Sequence, residues 1–123
     1  MIKGETKFWH EIKAFNIKNN CELSFTRVEN SAAHGTPDLL VYNTSGHFFT
    51  IELKLNLTKK IRFSPHQIGF HIKHPHNSFI MAKGLCQRDI KLYEGSKIRD
   101  LVSGSAEPCA TGMVSSFKFL QKV

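Results

Sequence analysis

The sequence predicts one α/β domain in which a mixed central sheet is flanked by helices. The chain has 123 residues, which is the length of a single ordinary domain. Its apolar residues recur at helical and at strand spacing, in the order α-β-β-β-α-β with a short β-α extension. Glycine, proline and asparagine separate these segments. A sheet covered by helices is the arrangement that buries the apolar faces of such a set.

The first helix is predicted over residues 5–17. Phe8, Ile12 and Phe15 recur at spacings of four and three, so they form one apolar stripe that can pack on a sheet. The asparagine pair after this segment is a stop signal. The first strand is predicted over residues 23–28, where the side chains alternate between two faces.

The second and third strands are predicted over residues 38–42 and 47–55. An Asn-Thr-Ser-Gly turn separates them, and the third strand is rich in phenylalanine, isoleucine and threonine. We therefore expect an antiparallel hairpin, in which the start of one strand lies beside the end of the other.

The second helix is predicted to begin after Ser64 and to run to Lys73. Ser64 can cap it, Pro65 suits its first position, and Gln67 completes a capping box three residues after the cap. Pro75 prevents the helix from continuing. This combination is a strong signal for the position of a helix start.

The last predicted elements are two strands over residues 78–82 and 89–93 and a short helix. Ser96 is expected to cap that helix, which ends near Val102.

The domain is expected to span residues 1–102, with residues 103–123 as a loose linker and C-terminal tail. Residues 103–112 are mostly small or polar and can bury little surface. Residues 117–123 are apolar again, so they can dock on the body of the domain or on a second subunit.

The charge balance favours an anionic partner. Lysine and arginine number 17 against 10 acidic residues, so the formal net charge is +7. Such a domain favours nucleic acid first and an acidic membrane surface second. No run approaches the roughly 18 apolar residues of a membrane span, and the first residues contain no apolar signal region. The 3 cysteines fit neither a disulfide framework nor a zinc site, which predicts a reduced, cytoplasmic protein.

Two acids and a lysine are predicted to meet at one end of the hairpin. Glu52 and Lys54 are two residues apart in a strand, so they project from the same face. Asp38 begins the preceding strand and can reach Glu52 when the strands pair. With the backbone carbonyl of Leu53, the two carboxylates can bind a hard cation such as Mg²⁺. An isolated Glu-x-Lys triplet is common and taken alone favours a surface cross-strand pair, and it is the Gly-Thr-Pro-Asp motif at the preceding strand start that favours a site.

Three motifs follow one another in a specific order: Gly-Thr-Pro-Asp-Leu-Leu-Val at 35–41, Ile-Glu-Leu-Lys at 51–54 and Ser-Pro-His-Gln at 64–67. In this order they resemble the PD-(D/E)XK nuclease superfamily. The resemblance is greatest to its small VRR-NUC-type branch, which includes stand-alone phage proteins and relatives of Holliday-junction resolvases. It covers about residues 5–83.

This resemblance implies a restriction-endonuclease-like core and Mg²⁺- or Mn²⁺-dependent hydrolysis of DNA phosphodiester bonds. It implies metal ligation by Asp38 and Glu52. It further implies a catalytic role for Lys54, and support of the site or a phosphate contact by Gln67. A small phage-encoded nuclease is the expected setting.

The same superfamily often adds a glutamate from its first helix, and Glu5 and Glu11 compete for that position here. At about 100° per residue, Glu5 falls inside the apolar stripe, whereas Glu11 lies at its edge. Because the stripe faces the sheet, Glu5 is favoured as a metal ligand and Glu11 is the alternative.

Seven residues are expected to contact nucleic acid. Two of them match positions at which similar proteins carry an arginine and a small polar residue, and these are Arg27 and Ser31. The others belong to a basic loop that can follow a duplex backbone and to a helix start whose free N–H groups can bind anions. They are Lys59, Lys60, Arg62, Ser64 and His66.

Three histidines cluster around the end of the second helix. His71, His74 and His76 have no cysteine nearby, and the intervening proline breaks their register. Favourable cationic groups at a helix C-terminus are therefore expected rather than a zinc site.

The favoured function is a structure-selective endonuclease that acts on branched, flap or junction DNA. One small domain with one active site cuts one strand at a time, so a homodimer is expected. A non-catalytic nucleic-acid-binding protein of the same fold is the alternative. A basic structural or interaction module is a third interpretation.

Overall fold

The fold is built around a central β-sheet. The computed structural model describes residues 3–28, 35–55, 60–84 and 89–123. Within these ranges the sheet has six strands in the spatial order β1-β2-β3-β4-β5-β6. The strands are β1 (Ser24–Arg27), β2 (Leu39–Tyr42), β3 (Phe48–Leu55), β4 (Ser78–Lys83), β5 (Ile90–Glu94) and β6 (Ala110–Thr111). The helices are α1 (Lys3–Lys18), α2 (Pro65–Lys73), α3 (Ile98–Ser103) and α4 (Met113–Gln121), with a 3₁₀ turn at Gly95–Lys97.

The sheet is mixed, as the sequence predicts. Strands β3 and β4 are parallel, whereas the other neighbouring strands are antiparallel. Parallel neighbours need a long crossover connection, and α2 lies in the connection between β3 and β4. The predicted hairpin of β2 and β3 is confirmed, and Gly46 closes its turn with a φ of 84°.

Two apolar clusters lie on the two faces of the sheet. The first includes Phe8 and Ile12 of α1 and Phe117 and Leu120 of α4, packed against the core face of the strands. The second lies beneath α2 and α3, and its buried members are Ile61, Ile80, Ala82, Tyr93, Ile98 and Leu101. Helices therefore cover both faces, which gives the predicted α/β class. None of the described helices is long and apolar enough to span a membrane.

The C-terminal segment differs from the loose tail that its composition indicates. Strand β6 pairs with β5, and Phe117 and Leu120 of α4 are 1% and 0% exposed. The side-chain amide of Asn43 also donates to the backbone carbonyl of Leu120 at 3.0 Å. Backbone pairing and the buried side chains of α4 hold this segment on the domain. Neither contact requires the residues between α3 and β6 to be apolar, which is why their composition is a poor guide.

The predicted cap at Ser96 is wrong. Ser96 lies within the 3₁₀ turn, and Lys97 precedes α3 at the cap position without a side-chain cap hydrogen bond. At the other end of α3, Gly104 adopts a left-handed conformation with a φ of 83°, and its N–H bonds the carbonyls of Asp100 and Leu101. Because the 3₁₀ turn continues directly into α3, Ser96 lies inside the turn and its side chain does not cap the helix.

Candidate active site

The hairpin places Asp38 beside Glu52. Its register pairs Leu39 with Ile51, so the next pair outward is Asp38 and Glu52. The Asp38 carboxylate accepts a hydrogen bond from the backbone N–H of Leu53 at 2.8 Å. This bond fixes the carboxylate at the point where the β2–β3 ladder ends.

Glu52 is a buried carboxyl group with one unsatisfied oxygen. It is 3% exposed, and its pKa is raised to about 10, mainly by burial. A hydrogen bond with Asp38 and the negative charge of Asp38 contribute to this increase, Glu5 makes a smaller contribution, and the positive charge of Lys54 opposes it. Among the described residues, Oε1 of Glu52 has no hydrogen-bond partner. A charged Glu52 therefore needs an additional cation beside it.

Glu5 of α1 reaches the same group of charges. Burial raises its pKa, and the negative charge of Asp38 raises it further, while Lys54 has the opposite effect. Glu11 lies elsewhere, because its Oε1 pairs with Lys83 Nζ at 2.6 Å. The structure thus brings Glu5 into electrostatic contact with the hairpin acids and engages Glu11 in a separate ion pair.

Lys54 is held by the start of α2. Its Nζ donates to Oε1 of Gln67 at 2.8 Å and lies 4.9 Å from the centre of the Phe63 ring. The same Gln67 oxygen accepts from the backbone N–H of Ser64, and the Ser64 hydroxyl accepts from the N–H of Gln67. The predicted capping box is therefore confirmed, and its glutamine also fixes the ammonium group.

His71 is the polar residue that sequence reasoning misplaced. It was expected as a cationic group at the helix end, but it is 0% exposed and its pKa falls to about 4. Burial is the main cause, and the charges of Lys54 and His74 add to it. Its spacing of four residues from Gln67 was the available signal, since both side chains then share one helix face. His74, in contrast, is exposed and packs its ring against Phe70.

The Gly-Thr-Pro-Asp motif packs against the start of α2. Gly35 has a φ of 83°, and a side chain there would collide with the backbone carbonyl of His66. Both the positive φ and the close approach require glycine at this position. The start of this motif and the N-terminus of α2 are therefore adjacent.

The expected nucleic-acid contacts lie on two parts of the surface. Arg27 is exposed at the end of β1. The others that the structure describes are exposed before or at the start of α2, and they are Lys60, Arg62, Ser64 and His66. Ser31 and Lys59 lie outside the described residues. Lys60, Arg62 and the start of α2 therefore adjoin Gln67 along the chain, whereas Arg27 lies on the edge strand β1.

A divalent cation fits the donor set of this site. In the described part of the chain, no three His, Cys, Asp or Glu side chains form a ready-made metal cluster. Mg²⁺, however, usually keeps several waters and needs only one or two carboxylates. Asp38 and Glu52 supply these carboxylates, and they lie side by side at the end of the β2–β3 ladder.

Known proteins resemble this chain at the level of structure. No protein-family model matches the sequence, and no curated protein sequence does so either. The fold is similar to that of Hjc, a Holliday junction resolvase from the hyperthermophilic archaeon Archaeoglobus fulgidus, with a TM-score of 0.55. The two chains are 14% identical over 74% of this chain and 77% of the resolvase. At this identity the likeness shows a shared fold, a mixed α/β sheet flanked by helices of the resolvase type.

Proposed function

We propose that this protein is a Mg²⁺-dependent nuclease that hydrolyses phosphodiester bonds in branched DNA. The observation that carries the proposal is the convergence of Asp38, Glu52 and Lys54 at the end of the hairpin, with Glu52 buried beside Asp38. A protein that only bound DNA would gain nothing from buried acids facing an anionic ligand, since like charges repel.

The proposed metal ligands are Asp38, Glu52 and the backbone carbonyl of Leu53, with Glu5 as a further carboxylate. When bound, Mg²⁺ would offset charge on the phosphate and lower the pKa of a coordinated water, and Mn²⁺ is expected to substitute. The N–H of Leu53 holds Asp38 in place. Glu5 is favoured over Glu11 because Glu5 shares the electrostatic environment of the hairpin acids.

Lys54 is the proposed catalytic lysine. The Gln67 oxygen accepts one of its hydrogen bonds at 2.8 Å, which restricts a side chain that is otherwise flexible. Its ammonium group can steady the scissile phosphate or position the attacking water. Gln67 acts through Lys54 and through the cap of α2.

DNA binding is proposed to depend on phosphate contacts and duplex shape. The net charge of +7 supports long-range attraction. The proposed contacts are Arg27, Ser31, Lys59, Lys60, Arg62, Ser64 and His66. Contacts of this kind fix orientation on DNA without reading its sequence.

The preference for junctions and the homodimer are the finer parts of this proposal. The similar fold is that of a Holliday junction resolvase, and the motif order resembles the VRR-NUC-type branch with its phage members. Resolving a junction needs two cuts, so two copies of a one-site domain would act together. We place this activity in the cytoplasm.

The deciding experiment incubates end-labelled four-way junction, flap and linear duplex DNA with wild-type protein in Mg²⁺, Mn²⁺ or EDTA. We expect metal-dependent products, most abundant from the junction, and no product with Asp38→Ala. Binding of DNA without a product on any substrate would instead support a non-catalytic binding protein of the same fold. Gel filtration with light scattering measures whether the active species is a dimer.

A further inference from the structure

Buried polar atoms beneath α2 remain unsatisfied. Oε1 of Glu52, Oγ1 of Thr50 and Nε2 of His71 have no hydrogen-bond partner within the part of the chain that the structure describes. Glu52 is 3% exposed and His71 is 0% exposed. Buried polar groups in folded proteins are nearly always hydrogen-bonded, so three such atoms on one face of a sheet require an explanation.

The contacts of α2 show that these atoms belong to one place. Gln67 bonds Lys54, and one helical turn later His71 approaches the hydroxyl of Ser78. Ser78 is the neighbour of Thr50 in the β3–β4 register. Helix α2 therefore runs antiparallel to β3, with its two polar contacts at the levels of Lys54 and Thr50.

Glu52 lies between these two levels. It is separated by two residues from Thr50 on one side and from Lys54 on the other, so all three side chains project toward α2. His71 is bonded at the level of Thr50 and still experiences the charge of Lys54. His71 therefore lies on the same face of the sheet as Glu52, at the level of Thr50 and within electrostatic range of Lys54.

The hydrogen bonds of Ser78 define the tautomer of His71. The Ser78 hydroxyl donates its proton to the backbone carbonyl of His74 at 2.7 Å. It can therefore only accept from Nδ1 of His71, which lies 3.3 Å away. Nδ1 carries the proton of this neutral ring, and Nε2 is a buried acceptor that lacks a donor.

Close packing fixes the orientation of this ring. Gly95 lies against Ser78 and His71, and a side chain at Gly95 would collide with the Ser78 hydroxyl and approach Nδ1 of His71 to 3.0 Å. The Nδ1 edge is thus locked against the strand and the 3₁₀ turn. The Nε2 edge is turned away from this contact.

We propose that His71 is a positioning residue for Glu52, in which Nε2 of His71 and the hydroxyl of Thr50 hold a buried water molecule that bonds Oε1 of Glu52. One water can donate to Nε2 and to Oε1 while it accepts from the threonine hydroxyl. Oε1 is thereby anchored on the side of α2, and the other oxygen stays on the side of Asp38. The inference rests on the proposed function, because Glu52 is a metal ligand only there.

Two substitutions of His71 separate this role from simple packing. In His71→Asn the amide can replace Nδ1 toward Ser78, but nothing replaces Nε2. In His71→Gln the longer amide can place an acceptor near the position of Nε2. We expect His71→Asn to weaken Mn²⁺ binding, measured by calorimetry, by about 10–100-fold, as losses of groups that orient metal ligands usually do. His71→Gln should bind Mn²⁺ nearly as well as wild type.

Two further variants test the same water site: Thr50→Val removes its second ligand, and His76→Asn is a control at an exposed histidine. Thr50→Val keeps the side-chain shape and removes the hydroxyl, so it should weaken Mn²⁺ binding in the same direction, even where His71→Asn fails to fold. His76 is exposed, and His76→Asn serves as the control with unchanged binding. A high-resolution crystal structure of the wild-type protein should show the water between Nε2, Oγ1 and Oε1.

The outcomes distinguish the two proposals. Equal losses in His71→Asn and His71→Gln would overturn the role of Nε2, and so would wild-type Mn²⁺ affinity in Thr50→Val or a crystal structure without the water. Failure of the wild-type protein itself to bind Mn²⁺ would instead overturn the proposed nuclease function, and the role of His71 with it.

Discussion

At the residue scale, Glu52 has the environment with the clearest chemical consequence. A carboxyl group that is 3% exposed, next to Asp38, retains its proton unless a cation is bound. Its raised pKa therefore couples the stability of the metal-free protein to pH. Cation binding would remove that coupling by favouring the charged form.

Glu52→Gln should remove most of this pH dependence. The folded pKa of about 10 exceeds the ordinary value of 4.5, so the folded state holds a proton that the unfolded state has released. Stability of the wild-type protein in EDTA should therefore fall as pH rises from about 5 to about 9, and the variant should show a flatter profile. Urea unfolding at several pH values measures this difference. Parallel profiles would contradict the prediction, and Glu107→Gln, at an exposed position, is the control.

The two glutamates of α1 should differ in their effect on cleavage. Glu5 shares the electrostatic environment of Asp38, whereas Glu11 pairs with Lys83 at 2.6 Å. Glu5→Gln should lower kcat/KM on a four-way junction by about 10–100-fold, the usual range for a residue that supports a metal site. Glu11→Gln should cost at most a few-fold. A wild-type rate in the first variant and inactivity in the second would reverse the assignment.

At the scale of elements, α2 connects the stability of its own start to the position of Lys54. Its cap is formed by Ser64 and Gln67, and the glutamine oxygen in that cap also accepts from Lys54. Fraying of the first turn would therefore release the lysine as well as the helix. The same helix carries His71 one turn later, so both polar contacts depend on its register.

Ser64→Ala should lower the free energy of unfolding by about 1 kcal/mol, the usual cost of removing a serine cap. Equilibrium unfolding in urea measures this change. Ser105→Ala is the matched control, because Ser105 is exposed, caps no helix and contacts the neighbouring Ser103 hydroxyl through its side chain. A loss of the same size in both variants would show that the cap contributes nothing specific.

At the scale of the whole molecule, the two faces of the sheet differ in composition: one carries the main apolar core and the other carries the polar groups around Glu52. Helices α1 and α4 cover the apolar cluster that contains Phe8 and Phe117. Helices α2 and α3 cover the other face, where the polar groups around Glu52 adjoin a smaller apolar cluster. The last helix therefore contributes to the main core, and truncation within it should unfold the protein rather than trim a tail.

Phe117→Ala should cost about 3–5 kcal/mol, as expected for a large side chain removed from a packed core. Phe117 is 1% exposed, whereas Val114 on the same helix is 54% exposed. Val114→Ala should change stability by less than about 0.5 kcal/mol. Urea unfolding of the two variants tests this contrast, and a small loss at Phe117 would restore the interpretation of a loosely attached tail.

Local signals predicted most of the fold. The capping box at Ser64 predicts the start of α2, and the turn that ends at Gly46 predicts the β2–β3 hairpin, because both depend on neighbouring residues alone. The hairpin in turn brought Asp38 beside Glu52. These features follow from periodicity and turn chemistry, which act over a few residues.

The sequence by itself determined the element order, the basic character of the surface and the acids and lysine that converge at the end of the hairpin. Only the tertiary structure decided that Glu11 pairs with Lys83, that His71 is buried with a lowered pKa, and that α4 belongs to the core. The physical reason is that burial and electrostatic environment depend on residues far apart in the chain. A pattern along the sequence shows which side chains lie on the same face of an element, but packing determines what that face contacts.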